Sequence, residues 1–552
     1  MSMFSALADT STAAGNGDFS VTITNNDSNT GHSYKAYQVF SGDLVEKTGA
    51  TTGNTGANLT LSNIVWGSGV NGDDIVTALV GITDTNNPLK GDFTAGMTAE
   101  QVAKKLENKA DDSAYVQAFA EVVHDHLKTN GATGTGSATG VTGLTAGYYF
   151  IQDEGNMATD ADNAGALSRY ILQVVHSVSI TQKANVPTVD KTTKDKDDTT
   201  GTESEWQNTS EYDVGDAVPF KIVGTLPSNF AEYDYFKTYT FTDTLSAGFD
   251  APDEDDITIK VGSTDVKSHF DIDINGQVIT IRLQNGEDLK TWTNPSLTAS
   301  STFVVEYSAV LNNSAVSGPT GNENEVTLTF SNNPNADGEG GYDTTPPDTV
   351  IVFTFDLKIS KKDGSNSQAL NGAAFALYKK YKTEADVPAG ATKVTTGKVS
   401  YDNNRKEYTF TVAGEEVWAL VEQKTTAAGS QFDFLKIDEG DYVLVETTTP
   451  DGYNSVAPYA FTVSCTVNDA GKTLTKINGV ANGETVNLGD LTATVVMDVD
   501  EGSLNADVIN NSGNTLPSTG GMGTTLLYVG GSILVVLAAI LLITKRRMSS
   551  EE

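Results

Sequence analysis

Cysteine is almost missing from this chain: Cys465 is the only one in 552 residues, so no intramolecular disulfide can hold the fold together. Positive charge is scarce as well, with 35 basic residues against 72 acidic ones and a formal charge of −37 at pH 7. That balance argues against nucleic acid or an anionic membrane surface as a partner. Histidine occurs five times, scattered, without metal-ligand spacing and without an evident partner for the lone thiol, which disfavours a surface enzyme; no metal and no cofactor are expected. His124 and His126 lie two apart in a helical stretch, so they diverge and are expected to face solvent. Cys465 sits in the strand-like run "FTVSCTV" and reads as a small core residue, not a reactive thiol. The start has no apolar leader core, but Ala6 and Ala8 precede Asp9 in an A-x-A arrangement, so residues 1–8 are read as a signal-peptide remnant or an altered start.

What the chain does have is alternation. Short period-two runs predict β-strands, and Phe270 to Leu283, "FDIDINGQVITIRL", adds Asn275-Gly276, a two-residue hairpin signal. Polar connectors at 177–198 and 332–350 divide the sequence into three blocks, 9–184, 185–348 and 349–513. The expected fold is mainly β, a tandem of immunoglobulin-like β-sandwich domains. The first carries a small helical insertion, where Thr98 and Gln101 are placed for a capping box and Tyr115, Phe119 and Val122 keep helical spacing.

The C-terminus breaks the pattern. Thr524 to Thr544 is apolar and, at about 1.5 Å per residue, spans about 30 Å as a transmembrane helix. Lys545, Arg546 and Arg547 follow, which marks the cytoplasmic side and places everything before them outside the cell. Just ahead stand Leu516, Pro517, Ser518, Thr519 and Gly520. Pentapeptide, span and basic tail together resemble the LPxTG cell-wall sorting signal of Gram-positive surface proteins, so 514–552 is read as that signal. The resemblance implies that a sortase cuts between Thr519 and Gly520 and holds the Thr519 carbonyl as a thioester. The chain is then a substrate and not an enzyme.

The first boundary, "ITQKANVPTVDKTTKD", resembles the end of the first domain of sortase-assembled major pilins. In those proteins a lysine in a Tyr-Pro-Lys-Asn-type motif is the polymerisation nucleophile, a role that falls here on Lys183, with Lys194 and Lys196 as alternatives. The match departs at Thr-Gln for Tyr-Pro and at Ala184 before Asn185. In block two, "VDKTTKD", "YTFTDTLSAGF" and "GNENEVTLTFSNNP" resemble the segments of the pilin D2 domain that form an internal isopeptide bond. The matching residues are Lys191, Asp243 and Asn324. Period-two alternation puts each on the apolar face of its strand, with Asn322 and Asn332 sharing Asn324's parity. Burial lowers the pKa of a lysine and pushes a carboxyl towards its protonated form, so the amine becomes a nucleophile, Asp243 promotes the reaction by polarising the amide, and ammonia leaves.

Block three, through "DLKISKKDGSNSQALNGAAFALY", "YVLVETTTPDGY" and "DVINNSG", resembles the B-type repeat of collagen-adhesin (Cna) proteins. The family motif implies Lys358, Glu446 and Asn510 as the isopeptide set, with Glu446 in the promoting role. Strand parity would sooner bury Lys361, which stays the alternative. Block one shows "LTAGYYFIQDE" but no lysine partner, and no bond is assigned there.

Together these resemblances imply a major (backbone) pilin. It would be secreted, polymerised through a Thr519 to Lys183 amide by a pilin-specific sortase, anchored to peptidoglycan by a housekeeping sortase, and active in adhesion. Other copies of the chain, tip and base pilins and a host surface ligand are the implied partners. The alternative is a monomeric wall-anchored adhesin built from the same stalk domains.

Overall fold

The computed structural model describes residues 7–8, 18–24, 31–46, 59–85, 87–109, 113–155, 165–181, 186–334, 341–403, 405–425, 429–489, 491–498, 501–513 and 531–541. Strands dominate, as the alternation predicts, and three pairs of facing sheets follow one another along the chain.

The middle pair carries the clearest logic. Val189–Thr193, Ala217–Thr225, Thr302–Leu311 and Thr258–Val261 are consecutive neighbours in one sheet. In the facing sheet Asp348–Phe353, Asn322–Ser331, Tyr239–Leu245, Val278–Leu283 and Phe270–Asn275 are neighbours in that order. Alternate residues such as Phe220, Ile222, Phe241, Val305 and Leu328 point into one shared core, so burying one face of each sheet is what joins them. The expected hairpin is present: Asn275 pairs with Val278, and Gly276 takes φ +60, a conformation glycine adopts without cost.

In the last pair, Phe355–Asp363 lies antiparallel to Gln431–Ile437 and parallel to Glu501–Asn510. The facing sheet centres on Ala374–Tyr381 and Gly440–Thr448. The first pair is built around Tyr34–Glu46 and Gly147–Asp153 in one sheet and Phe19–Thr24 and Gly140–Leu144 in the other. Three helices, Gly72–Gly81, Ala99–Leu106 and Ala114–His124, form its insertion. The Thr98 and Gln101 capping box is present in both directions. Tyr115 and Phe119 are buried, and Val123 takes the core position beside them while Val122 is only partly covered.

Three expectations shift. The strand Asp348–Phe353 pairs with Asn322–Ser331 on one side and with Thr209–Glu211 on the other, so the second sandwich runs on to Phe353 instead of stopping at 348; Pro346 and Pro347, within the segment read as a connector, lead directly into this inner strand. Leu7–Ala8, assigned to a leader remnant, pairs antiparallel with Ser179 and Val178, giving that edge strand backbone partners. His124 and His126 do diverge, but neither is free in solvent: His124 packs on Phe150 beside Asp125 and Asp234, and His126 Nδ1 bonds the Val122 carbonyl at 2.7 Å.

Much of the expected span 524–544, and all of Leu516 to Gly520 and Lys183, lie outside the described residues. Residues 531–541 are helical, and among the described residues no helix is long and apolar enough to cross a membrane.

Candidate functional site

Lys191 sits on the inward face of Val189–Thr193, fully buried, while Asp243 and Asn324, equally buried, come from adjacent strands of the opposite sheet. The alternation that hides Phe241 and Val326 hides these polar side chains with them. Lys191 Nζ donates to Asp243 Oδ2 at 2.7 Å and lies 3.3 Å from the Tyr307 hydroxyl. That hydroxyl donates to Asp243 Oδ2 at 2.6 Å and accepts from Asn324 Nδ2 at 2.8 Å. Neither Asp243 Oδ1 nor Asn324 Oδ1 has a hydrogen-bond partner among the described residues. Burial pushes the Lys191 ammonium below its ordinary range, with Asp243 opposing it, which favours the neutral amine.

The three asparagines of equal parity separate here. Asn322 is spent on backbone: Oδ1 accepts from the Val316 N–H at 2.8 Å, and Nδ2 donates to the Val316 and Val352 carbonyls. Asn332 turns towards the first sandwich, where Nδ2 donates to the Gly165 carbonyl at 3.3 Å. Asn324 alone of the three bonds to the Lys191–Asp243–Tyr307 group.

The second centre corrects the sequence assignment. Lys358 points away from the core and pairs with Glu501 at 3.2 Å near the surface. Lys361 is fully buried, because Phe355, Leu357, Ile359 and Lys361 share the inward face that period two dictates. Its Nζ donates to Asn510 Oδ1 at 2.6 Å and to the Val508 carbonyl at 3.0 Å, with Glu446 Oε1 at 3.8 Å. Asn510 Nδ2 donates to Glu446 Oε1 at 2.8 Å, and Thr449 and the Val456 N–H hold the other Glu446 oxygen. Burial pushes Lys361 down to about 8 against Glu446, and burial raises the Glu446 carboxyl against Lys361. Lys361 and Asn510 lie on adjacent parallel strands near the start and the end of the last sandwich, and Glu446 reaches them from the opposite sheet.

A third buried lysine escapes the sequence reading. Lys379, fully buried on Ala374–Tyr381, donates to Asp198 Oδ2 at 2.8 Å, Asp213 Oδ2 at 2.5 Å and Asp438 Oδ1. Asp198 and Asp213 belong to the second sandwich, so the cluster lies across the seam with the third, where the Asp438 N–H also donates to Asp213 Oδ1 at 2.9 Å. Burial opposes the charge on Lys379, yet Asp213, Asp438, Tyr442 and Asp198 together hold it well above the ordinary lysine range. Lys379 therefore stays an ammonium, whereas burial shifts Lys191 and Lys361 towards the neutral amine. Its signal was present in "AFALYKKY", where Phe375, Leu377 and Lys379 share a face.

Lys194 and Lys196, the alternative polymerisation lysines, are half-buried: Lys194 lies over Trp206 with Glu203 at 3.8 Å, and Lys196 donates to Asp386 at 2.8 Å. Cys465 donates to Glu211 Oε1 at 2.9 Å, and burial together with Glu211 and Glu439 pushes its thiol up, which keeps it an unreactive thiol.

Residues 355–479 match the SpaA family model, a prealbumin-like fold domain, and residues 509–550 match the LPXTG cell wall anchor motif. The chain is 26% identical over 268 residues to the trypsin-resistant surface T6 protein of Streptococcus pyogenes serotype M6, covering 44% of this chain and 48% of that protein. It is also 26% identical over 259 residues to fimbrial subunit type 2 of Actinomyces naeslundii, covering 45% and 46%. The chain thus spans about half the length of the curated relatives it matches. Among solved structures it is similar to the T6 backbone pilin of Streptococcus pyogenes, with a TM-score of 0.45, 16% identity and coverage of 91% of this chain and 100% of that one. It is similar also to the major pilin SpaD of Corynebacterium diphtheriae, with a TM-score of 0.39, 14% identity and coverage of 91% and 98%. Residues 355–479 thus match a prealbumin-like domain and residues 509–550 a cell-wall anchor motif, and the curated relatives include a surface protein and a fimbrial subunit.

Proposed function

We propose that this chain is the major structural subunit of a covalently polymerised surface pilus. In this reading a pilin-specific sortase joins Thr519 of one copy to Lys183 of the next, and a housekeeping sortase attaches the base of the polymer to peptidoglycan. Three tandem units, 9–184, 185–353 and 354–513, form the load-bearing stalk, which presents the tip and supports adhesion. The observation that carries this reading is the pairing of the anchor match with two buried lysine–carboxylate–asparagine centres in one chain. A shaft under tension gains from covalent staples, and this chain has one cysteine and so builds none from disulfides.

Each centre has the parts for autocatalytic bond formation. A lysine that burial shifts towards its neutral form attacks the asparagine carboxamide, the Asp243 or Glu446 side chain polarises it, and ammonia leaves. The Lys191–Asn324 bond would tie the two sheets of one sandwich together. The Lys361–Asn510 bond would tie the first and last strands within one sheet. Lys379, held charged by its aspartates, forms no such bond.

Immunoblotting of cell-wall extracts tests the whole. A ladder of high-mass species is expected, collapsing in Lys183→Ala to a wall-linked monomer, because anchoring needs only the Thr519 thioester. Replacing Leu516 to Gly520 should move the protein from the wall to membrane and medium. A single wall-linked band from the unaltered chain would favour the monomeric adhesin instead. Intact mass tests the corrected lysine separately: Lys361→Ala should lose one ammonia's worth of mass deficit, about 17 Da, while Lys358→Ala should keep the full deficit.

A further inference from the structure

Tyr307 lies on the strand Thr302–Leu311, on the inward face it shares with Phe303, Val305 and Ala309. Its hydroxyl stands between the carboxylate and the amide of the first centre, 2.6 Å from Asp243 Oδ2 and 2.8 Å from Asn324 Nδ2. Lys191 Nζ reaches the same Asp243 oxygen at 2.7 Å. A continuous hydrogen-bonded path therefore runs from the nitrogen that would attack, through carboxylate and phenol, to the nitrogen that would leave.

We infer that Tyr307 is a catalytic residue of bond formation at this centre, passing a proton from Asp243 to the departing nitrogen of Asn324. The inference rests on the isopeptide reading proposed above. As the amine attacks, the Lys191 Nζ–Asn324 Cγ bond forms, and later the Cγ–Nδ2 bond breaks. An amide nitrogen is a poor leaving group as an anion, so Nδ2 must gain a proton before it departs. The proton released by Nζ passes to Asp243 Oδ2, the phenolic proton moves to Nδ2, and the proton now on Asp243 replaces it on the phenol. One ammonia leaves, and phenol and carboxyl end as they began. Burial, with Asp243 beside it, holds the Tyr307 phenol well above its ordinary range, so it enters the reaction with its proton in place.

The third sandwich supplies an internal contrast. There Asn510 Nδ2 donates directly to Glu446 Oε1 at 2.8 Å, with no phenol between them. Glutamate is one methylene longer than aspartate and reaches the amide itself. The shorter Asp243 does not contact Asn324 Nδ2, and the Tyr307 hydroxyl bridges the gap.

The test uses full-length chain made by cell-free translation and sampled over time. Tandem mass spectrometry quantifies the Lys191–Asn324 linked peptide, with the Lys361–Asn510 peptide of the same sample as internal reference. Tyr307→Phe keeps a ring beside Phe220, whose centroid is 5.5 Å away. It should slow the first bond by about a hundredfold, the usual scale of a lost proton-transfer group, and leave the second unchanged. Difluorotyrosine at position 307, a more acidic phenol of nearly the same shape, should move the high-pH limb of the rate profile to lower pH. Equal rates in Tyr307→Phe and the unaltered chain would overturn the relay. If Tyr307→Phe disturbs folding, the fluorinated chain decides: an unshifted pH profile would overturn the relay just as well. Absence of the Lys191–Asn324 peptide from the unaltered chain would be a different result, the failure of the isopeptide reading itself.

Discussion

Asp243→Ala and Glu446→Ala are each expected to regain half of a mass deficit of about 34 Da, the weight of two ammonia molecules lost when both bonds form. Either variant keeps the lysine and the asparagine of its centre, but the acid that would polarise the amide is gone, so the bond does not close. Each bond ties together segments more than a hundred residues apart, and such a closure contributes roughly 5 kcal/mol when estimated as for a disulfide. Asp243→Ala should therefore unfold at markedly lower denaturant concentration than the unaltered chain. The variant should also acquire a pH dependence that the bonded chain lacks. Burial keeps Lys191 below its ordinary range, and Asp243, which opposes that shift, is now absent. Between the depressed folded pKa and the unfolded value near 10.4, the unfolded state binds more protons, so the stability of Asp243→Ala rises with pH across that window. In the bonded chain the nitrogen is an amide and does not titrate. A wild-type mass equal to the sequence mass would show that these lysines are only ion-paired.

Lys379→Met should loosen the seam between the second and third sandwiches without changing the mass deficit. It removes the cation that binds Asp198, Asp213 and Asp438 at once, and leaving buried carboxylates without their counter-charge costs about 3–5 kcal/mol. Burial and Asp213 already push the Asp438 carboxyl well above its ordinary range against the pull of Lys379, and burial raises Asp198 in the same way. Without Lys379 these carboxyls rise further. A carboxyl with a raised folded pKa costs stability as pH climbs above the unfolded value near 3.9, so the defect should be smallest in acid and grow towards neutrality. Amide hydrogen exchange, corrected for its intrinsic pH dependence, reads this at the seam. Protection at the Asp438 N–H, which donates to Asp213, and at the Val214 N–H, which donates to the Lys436 carbonyl, should fall while protection within each sheet holds. Unchanged exchange at both amides in Lys379→Met would show that apolar packing, not this charge cluster, closes the seam.

Strand parity proved the most dependable guide to the candidate site. It placed Lys191, Asp243 and Asn324 inward, and the structure brings them together with Tyr307. It also favoured Lys361 over Lys358, and there the family motif misled: a motif transfers a position along the chain, whereas burial depends on which face that position occupies, and a shift of one residue reverses the face. The same alternation runs through Phe375, Leu377 and Lys379 and through Val305 and Tyr307, so two further inward polar side chains were legible in the sequence without a motif to draw attention to them.

By itself the sequence determined the mainly β character, the helical insertion with its capping box, the anchor at the C-terminus and the inward face of the strands that carry Lys191, Asp243, Asn324, Glu446 and Asn510, because all of these depend on local periodicity or on a contiguous motif. Only the tertiary structure decided which inward residues meet. Asn322, Asn324 and Asn332 have equal parity, but strand register gives the first to the Val316 and Val352 backbone, the second to Tyr307 and the third to Gly165. Likewise Lys379 finds Asp198 and Asp213 more than 160 positions away in the chain. Parity along a strand is set by the pleat, residue by residue; contact between faces is set by how two sheets align and how two sandwiches dock, and no period within one strand encodes that.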